Sequence, residues 1–147
     1  MGKAREIARL PNAPSFSAYA LSTTSLTSGT QTRVNFGAEE FDTNSNFSSP
    51  RFTPTVAGYY QLNARVQFNG STVNPQIYIQ KNGFQVLAGN FIPGTFTNPV
   101  ATVNGVVYLN GSTDYAEVFG YHLTGSAVNT LAVQDATRFD GCLIRVA

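Results

Sequence analysis

Hydrophobic and polar residues alternate with a period of two along most of this chain. From Gly58 to Phe68, the residues Tyr60, Leu62, Ala64, Val66 and Phe68 take every second position, and mostly polar residues fill the others. Successive side chains of a strand point to opposite faces, so this stretch predicts a half-buried strand that ends at Asn69-Gly70. In Gln76–Gln80 the same pattern turns Ile77 and Ile79 inward, and Asn82-Gly83 follows. Both of those residues tolerate the positive φ that a two-residue hairpin demands, which predicts a hairpin there. Further strands are predicted over Asn104–Leu109, Asp114–Leu123 and Arg138–Val146, with a turn at Asn110-Gly111. Four Asn-Gly pairs and no helical period beyond residue 14 point to an all-β sandwich or jelly roll.

The first residues differ. Lys3, Arg5, Glu6 and Arg9 accompany Ile7 and Leu10 in a helix-compatible fragment that stops at Pro11. So short a helix is not stable alone. Residues 1–14 are therefore expected to be a stalk remnant or linker arm, the alternative being a frayed terminus, and residues 15–147 a single head domain. The segment has charges throughout and no apolar centre, unlike a secretory signal peptide. No apolar run reaches the roughly 20 residues of a membrane-spanning helix, so membrane insertion is not expected.

The composition narrows the functional classes. The 147 residues suit one domain with a genuine core. Only 12% are charged and the formal net charge is +1, too little to hold a nucleic-acid backbone, so no nucleic-acid partner is expected. Ser, Thr, Asn and Gly supply 11, 16, 13 and 13 residues, so neutral hydrogen-bonding groups carry the surface of a turn-rich β protein. Cys142 is the single cysteine and His122 the single histidine. An internal disulfide, a CxxC knuckle and a His-rich metal site are thereby excluded. A Ser-His-Asp arrangement would rest on one histidine at the end of a strand. Glu39, Glu40 and Asp42 cluster in what reads as a loop, while Asp114, Glu117, Asp135 and Asp140 are scattered. These acids could ligate calcium, yet no loop of EF-hand spacing is present. Phosphate-cradling glycine motifs are absent. Asn46-Phe47-Ser48, Asn69-Gly70-Ser71 and Asn110-Gly111-Ser112 match the glycosylation pattern, but the last two are better explained as turns. The expectation is a protein that is not an enzyme and carries no cofactor and no metal.

One ordered set of residues resembles a known family. Phe16-Ser17-Ala18, Phe52-Thr53-Pro54-Thr55-Val56-Ala57-Gly58-Tyr59-Tyr60-Gln61-Leu62, Lys81-Asn82-Gly83, Val107-Tyr108-Leu109-Asn110-Gly111 with Asp114, and Phe139-Asp140-Gly141-Cys142-Leu143-Ile144 follow the order of C1q/TNF-like globular heads. The family's compact Gly-Asp is stretched here to Gly111-Ser112-Thr113-Asp114. The resemblance implies a C1q/TNF-like jelly-roll β-sandwich of about ten strands that forms a homotrimer at the end of a preceding fibre stalk. The composition and the residues before Pro11 are similar to heads that end bacteriophage tail fibres and related bacterial fibre proteins, and no collagen repeat is present. That implies location in a virion tail fibre or at an extracellular surface, with a host-surface glycan or protein as receptor. A purely structural cap that registers the fibre chains is the alternative.

Two faces follow from the alternation once the family's strand pairing is assumed. Tyr60, Leu62, Val107, Leu109, Phe139 and Leu143 face the core. Tyr59, Val106, Tyr108, Cys142, Ile144 and Val146 then share the opposite face and are expected to form the trimer interface. On Asp114–Leu123, Ala116 and Val118 point inward, leaving Tyr115, Glu117, Phe119 and Tyr121 outward as a candidate ligand-binding set. The competing expectation is that the segment 84–99, with Phe91 and Phe96, folds over these aromatics and buries them.

Overall fold

A computed structural model describes residues 13–147, so the helix-compatible fragment at residues 3–10 lies outside the described residues. Strands and turns make up the described chain, with no helix. The strands are β1 (Ser15–Tyr19), β2 (Ser25–Leu26), β3 (Thr32–Arg33), β4 (Ala38–Asp42), β5 (Phe47–Ser48), β6 (Arg51–Phe52), β7 (Gly58–Asn69), β8 (Ser71–Val73), β9 (Gln76–Lys81), β10 (Phe84–Ala88), β11 (Thr95–Thr97), β12 (Val100–Leu109), β13 (Ala116–Tyr121), β14 (Val128–Thr130) and β15 (Arg138–Val146). The first sheet runs β12-β7-β15-β1-β4, with β14 paired to the last two residues of β7, beyond the stretch that pairs with β15, and β2 paired to β14. The second runs β10-β9-β13-β6-β5, and β3 lies beside β13. A short β8-β11 ribbon completes the antiparallel jelly roll.

The core lies between the two sheets. Tyr60, Leu62, Val66, Phe68 and Leu109 from the first sheet meet Ile77, Ile79, Ala116 and Val118 from the second, all fully buried. At one end Phe16 stacks on Phe52 with ring centroids 4.2 Å apart and takes the edge of Phe139 at 4.9 Å. Gly141 makes this packing possible. A Cβ at that position would lie 2.6 Å from the Phe16 ring and 2.7 Å from a Leu62 methyl. The Phe-x-Gly-x-Leu order of β15 thus reflects two large side chains closing over one backbone position.

The predicted hairpin joins β9 to β10, with φ of 53° at Asn82 and 82° at Gly83. Asn82 also ties it to the next strand: its amide donates to Asp114 Oδ1 at 2.7 Å and its Oδ1 accepts from the Tyr115 N–H at 3.0 Å. The inward set Tyr60, Leu62, Val107, Leu109, Phe139 and Leu143 is buried as expected.

Several boundaries differ from the sequence reading. The strand predicted over Asn104–Leu109 starts earlier, at Val100, so Asn104-Gly105 lies in the middle of β12, where Gly105 leaves room for Leu87 of β10. The strand over Asp114–Leu123 contracts to β13, because Asp114 turns into the preceding loop and the Leu123 N–H donates to Val73 O at 2.8 Å. Glu39, Glu40 and Asp42 belong to β4, where the Glu40 carboxylate pairs with Arg138 at 2.7 Å. The Arg138 and Ser17 hydrogen bonds, reinforced by the Arg138 charge, hold Glu40 below its ordinary carboxylate range. Ala13 packs against the core and Pro14 O accepts from the Leu143 N–H at 2.9 Å, so both already belong to the head.

Candidate outer-sheet binding face and inner-sheet contact face

Ala116 and Val118 fill the core, and their neighbours in β13 therefore point away from it. The register with β9 sets Gln80 opposite Glu117, Tyr78 opposite Phe119 and Gln76 opposite Tyr121. On the other flank β6 pairs with β13 at Ala116 and β3 pairs at Phe119, which brings Arg51 and Arg33 to either side of Glu117. Four aromatic rings, Tyr78, Tyr115, Phe119 and Tyr121, are half-buried on this face. Segment 84–99 does not close over it. That segment supplies the edge strand β10 and the ribbon strand β11, and Phe84, Phe91 and Phe96 stay exposed.

Glu117 is the buried charge of the face, only 4% exposed. Its Oε1 lies 3.2 Å from Arg33 Nη1 and 3.1 Å from Arg51 Nε and Nη2. The Arg51 guanidinium also covers the Tyr115 ring, with Cζ 3.6 Å from the centroid. Beside this cluster the Gln80 amide donates to Gln31 Oε1 at 2.7 Å, and Gln31 donates in turn to Gln85 at 3.0 Å. Tyr78 donates to Gln76 Oε1 at 2.7 Å, and burial together with the neighbouring Tyr121 pushes its phenol pKa up. Aromatic faces, amides and charged groups alternate across a solvent-facing sheet, an arrangement able to stack on the apolar side of a sugar ring and hydrogen-bond its hydroxyls.

Tyr115, Glu117, Phe119 and Tyr121 are thus neighbours on one surface, though Glu117 is engaged by two arginines. Sequence reasoning missed Arg33, Arg51 and Tyr78. Tyr78 was legible, since its inward neighbours Ile77 and Ile79 had been assigned. The arginines were not: each sits in a two-residue strand too short to show a period.

The first sheet presents a different surface. Tyr59, Val106, Tyr108, Ile144 and Val146 are 42–53% exposed on the side away from the core, with Cys142 exposed among them. The Tyr59 and Tyr108 rings are 5.5 Å apart. A register shift between Leu143 and Arg145 sets Arg145, not Ile144, opposite Tyr59, so one charge enters a patch that strict alternation would leave apolar. Farther along the same strands the surface turns polar, around a depression of about 310 Å³ lined by Asn63, Arg65, Thr102, Asn104 and Asp140.

His122 is fully buried. Its Nε2 lies 3.0 Å from Leu26 O, which can only accept, so Nε2 carries the proton, and Nδ1 lies 3.0 Å from Thr124 Oγ1. The Asp114 carboxylate is claimed by Lys81 at 2.7 Å, Asn82 and the Asn110 N–H. Among the described residues no group of three His, Cys, Asp or Glu side chains comes together as metal ligands.

By sequence, the chain matches no family profile and no curated protein. By structure it is similar to murine APRIL at pH 8.0, with a TM-score of 0.70, 12% identity, and coverage of 90% of this chain and 99% of that one. It is also similar to the globular domain of zebrafish complement 1qA, with a TM-score of 0.57, 18% identity, and 91% and 99% coverage. The Eiger TNF of S. frugiperda matches with a TM-score of 0.60, 10% identity, and 92% and 93% coverage. At such identities the likeness speaks for architecture: the described chain has the C1q/TNF-like jelly-roll fold.

Proposed function

We propose that this chain is the homotrimeric head of a fibre, a bacteriophage tail fibre or a related adhesive fibre, that recognises a glycan or protein on a host surface. The observation that carries the reading is the apolar outer face of β12-β7-β15. Tyr59, Val106, Tyr108, Ile144 and Val146 are all about half exposed there. Covering such side chains contributes about 1 kcal/mol each, enough in three copies to hold an assembly. The sheet opposite then faces outward with its aromatic, amide and arginine groups, which supports recognition over a plain structural cap. Three copies of a weak site act together through effective concentration. The reading is of a binding protein without cofactor, not an enzyme: both ring nitrogens of the sole histidine serve the fold, and Asp114, Glu117 and Glu40 are held in ion pairs.

Light scattering should give three times the protomer mass at micromolar concentration. Ile144→Asp should dissociate it to a folded monomer, because a buried unpaired charge costs several kcal/mol. A stable wild-type monomer would refute the proposal. Replacing Tyr115 and Tyr121 by Ser should abolish adsorption to the host surface and leave the trimer intact.

A further inference from the structure

On its β3/β6 flank the outer sheet contains a second, smaller depression. It has a volume of about 230 Å³ and is lined by Arg33, Arg51, Ser48, Ser49, Pro50 and Thr53, with Glu117 at its base. It exists because the strand line beside β13 changes there, from β6 paired at Ala116 to β3 paired at Phe119. We infer that this depression binds the carboxylate of an acidic sugar residue, with Arg33 and Arg51 as the clamp and Glu117 as the buried group that positions both guanidinium ions. The inference rests on the receptor-binding reading above and names its ligand class.

The two arginines are not used up by Glu117. All of their contacts with it converge on a single oxygen, Oε1. Each guanidinium has five N–H donors, so the solvent-facing edge of both remains available. Their side chains are 46% and 42% exposed, whereas that of Glu117 is 5%. Elsewhere, Lys81 and Arg138 are already paired with Asp114, Glu40 and Asp140. The cluster of two guanidinium ions and one carboxylate therefore keeps a formal charge of +1.

The site is also pre-organised. Arg51 is pinned between the Tyr115 ring and Glu117, so little side-chain freedom is lost when a ligand arrives. A planar fork of this kind suits a carboxylate bidentately. The Ser48, Ser49 and Thr53 hydroxyls line the same depression and make no side-chain hydrogen bond to a described residue, which leaves them for sugar hydroxyls. Pro50 supplies an apolar wall. The volume lies below the roughly 300–1,000 Å³ of sites for drug-sized ligands and suits a single sugar ring. Charge decides between carboxylate and phosphate. A residual charge of +1 balances one carboxylate, whereas a doubly charged phosphate would stand uncompensated above Glu117.

The test titrates the full chain with oligogalacturonate and oligosialic acid, with neutral dextran oligomers and with inorganic phosphate, by calorimetry and saturation-transfer NMR. At least one acidic oligomer should bind, and dextran and phosphate should not. Arg33→Gln, which removes an exposed side chain with one partner, should weaken binding at least tenfold without changing the melting temperature by more than a few degrees. Glu117→Gln raises the formal charge of the depression to +2 and should tighten binding several-fold, an outcome that a purely structural ion pair does not produce. Failure of both acidic oligomers to bind overturns the inference. Binding that survives Arg33→Gln, or phosphate binding of equal strength, overturns it as well. Light scattering on the same samples separates the two readings: a trimer that binds no acidic oligomer removes this site alone, and a monomer that binds one removes the trimeric reading alone.

Discussion

Gly141→Ala tests whether the aromatic end of the core is as tightly locked as its geometry states. The added methyl would sit 2.6 Å from Phe16 Cε1 and 2.7 Å from Leu62 Cδ2. Ordinary carbon contacts lie near 3.5–4.0 Å, so a neighbour must retreat by about 1 Å. Neither can do so freely. Gly141 is paired with Phe16 on one side and Leu62 on the other, which fixes all three backbones. The Phe16 ring is hemmed in by Phe52 at 4.2 Å, Phe139 at 4.9 Å and Phe47 at 5.2 Å. Overpacking of this kind costs about 1–3 kcal/mol, and the stiffer unfolded chain returns about 0.4–1 kcal/mol. The expected net loss is about 1–2 kcal/mol, or roughly 3–6 °C in Tm for a domain of this size. Thermal unfolding should be followed at fixed protomer concentration, because the Tm of a protein that associates depends on concentration. Phe16→Leu removes the obstructing ring edge, so the double variant should be more stable than the two single losses predict. An unchanged Tm for Gly141→Ala, or coupling below about 0.5 kcal/mol, would show that the ring yields and that the glycine is not required for packing.

Two further predictions concern titration. Burial pushes the Tyr60 phenol up from 10.0 to about 12, and its hydroxyl donates to Val56 O at 2.7 Å. A raised pKa makes its contribution complete below the unfolded value and lost as pH rises from about 10 towards 12, so Tyr60→Phe should flatten the alkaline fall in stability over that window; an unaltered alkaline profile would contradict this. Burial alone would raise the Asp114 pKa, but Lys81, Asn82 and the Asn110 N–H outweigh it and hold the carboxyl below its ordinary 3.8. Its contribution is therefore present above that value and lost as pH falls through the folded one, so Asp114→Asn should lower stability at neutral pH and make acid unfolding less steep in denaturant titrations below pH 4.

Long alternating stretches were legible because each carries its own register. In β7, β9 and the first part of β15, each residue's face follows from its parity, and the buried sets read from the sequence are those found. The Asn82-Gly83 turn was equally local, since the φ demand falls on those two residues. Strand bounds and register departed from the sequence reading where a long-range contact overrides the local signal. Asn104-Gly105 does not open β12 but lies within it, because β12 pairs with β7 along its whole length from Val100 and Leu87 fills the space above the glycine. The bulge after Leu143 breaks alternation at the end of β15 with no mark in the residues themselves.

The shared apolar outer face of the first sheet came from the strand pairing that the family resemblance implies. What alternation along the sequence determined by itself is the all-β class and the inward-facing residues of the longer strands. These depend on the geometry of a strand and the chemistry of residues a few positions apart. Only the tertiary structure decided the charge cluster of the outer sheet. Glu117 meets Arg51 and Arg33 across 66 and 84 residues of chain, through strands of two residues each. Segments that short have no periodicity of their own and are held by the neighbour they pair with, so the cluster forms only when the sandwich closes.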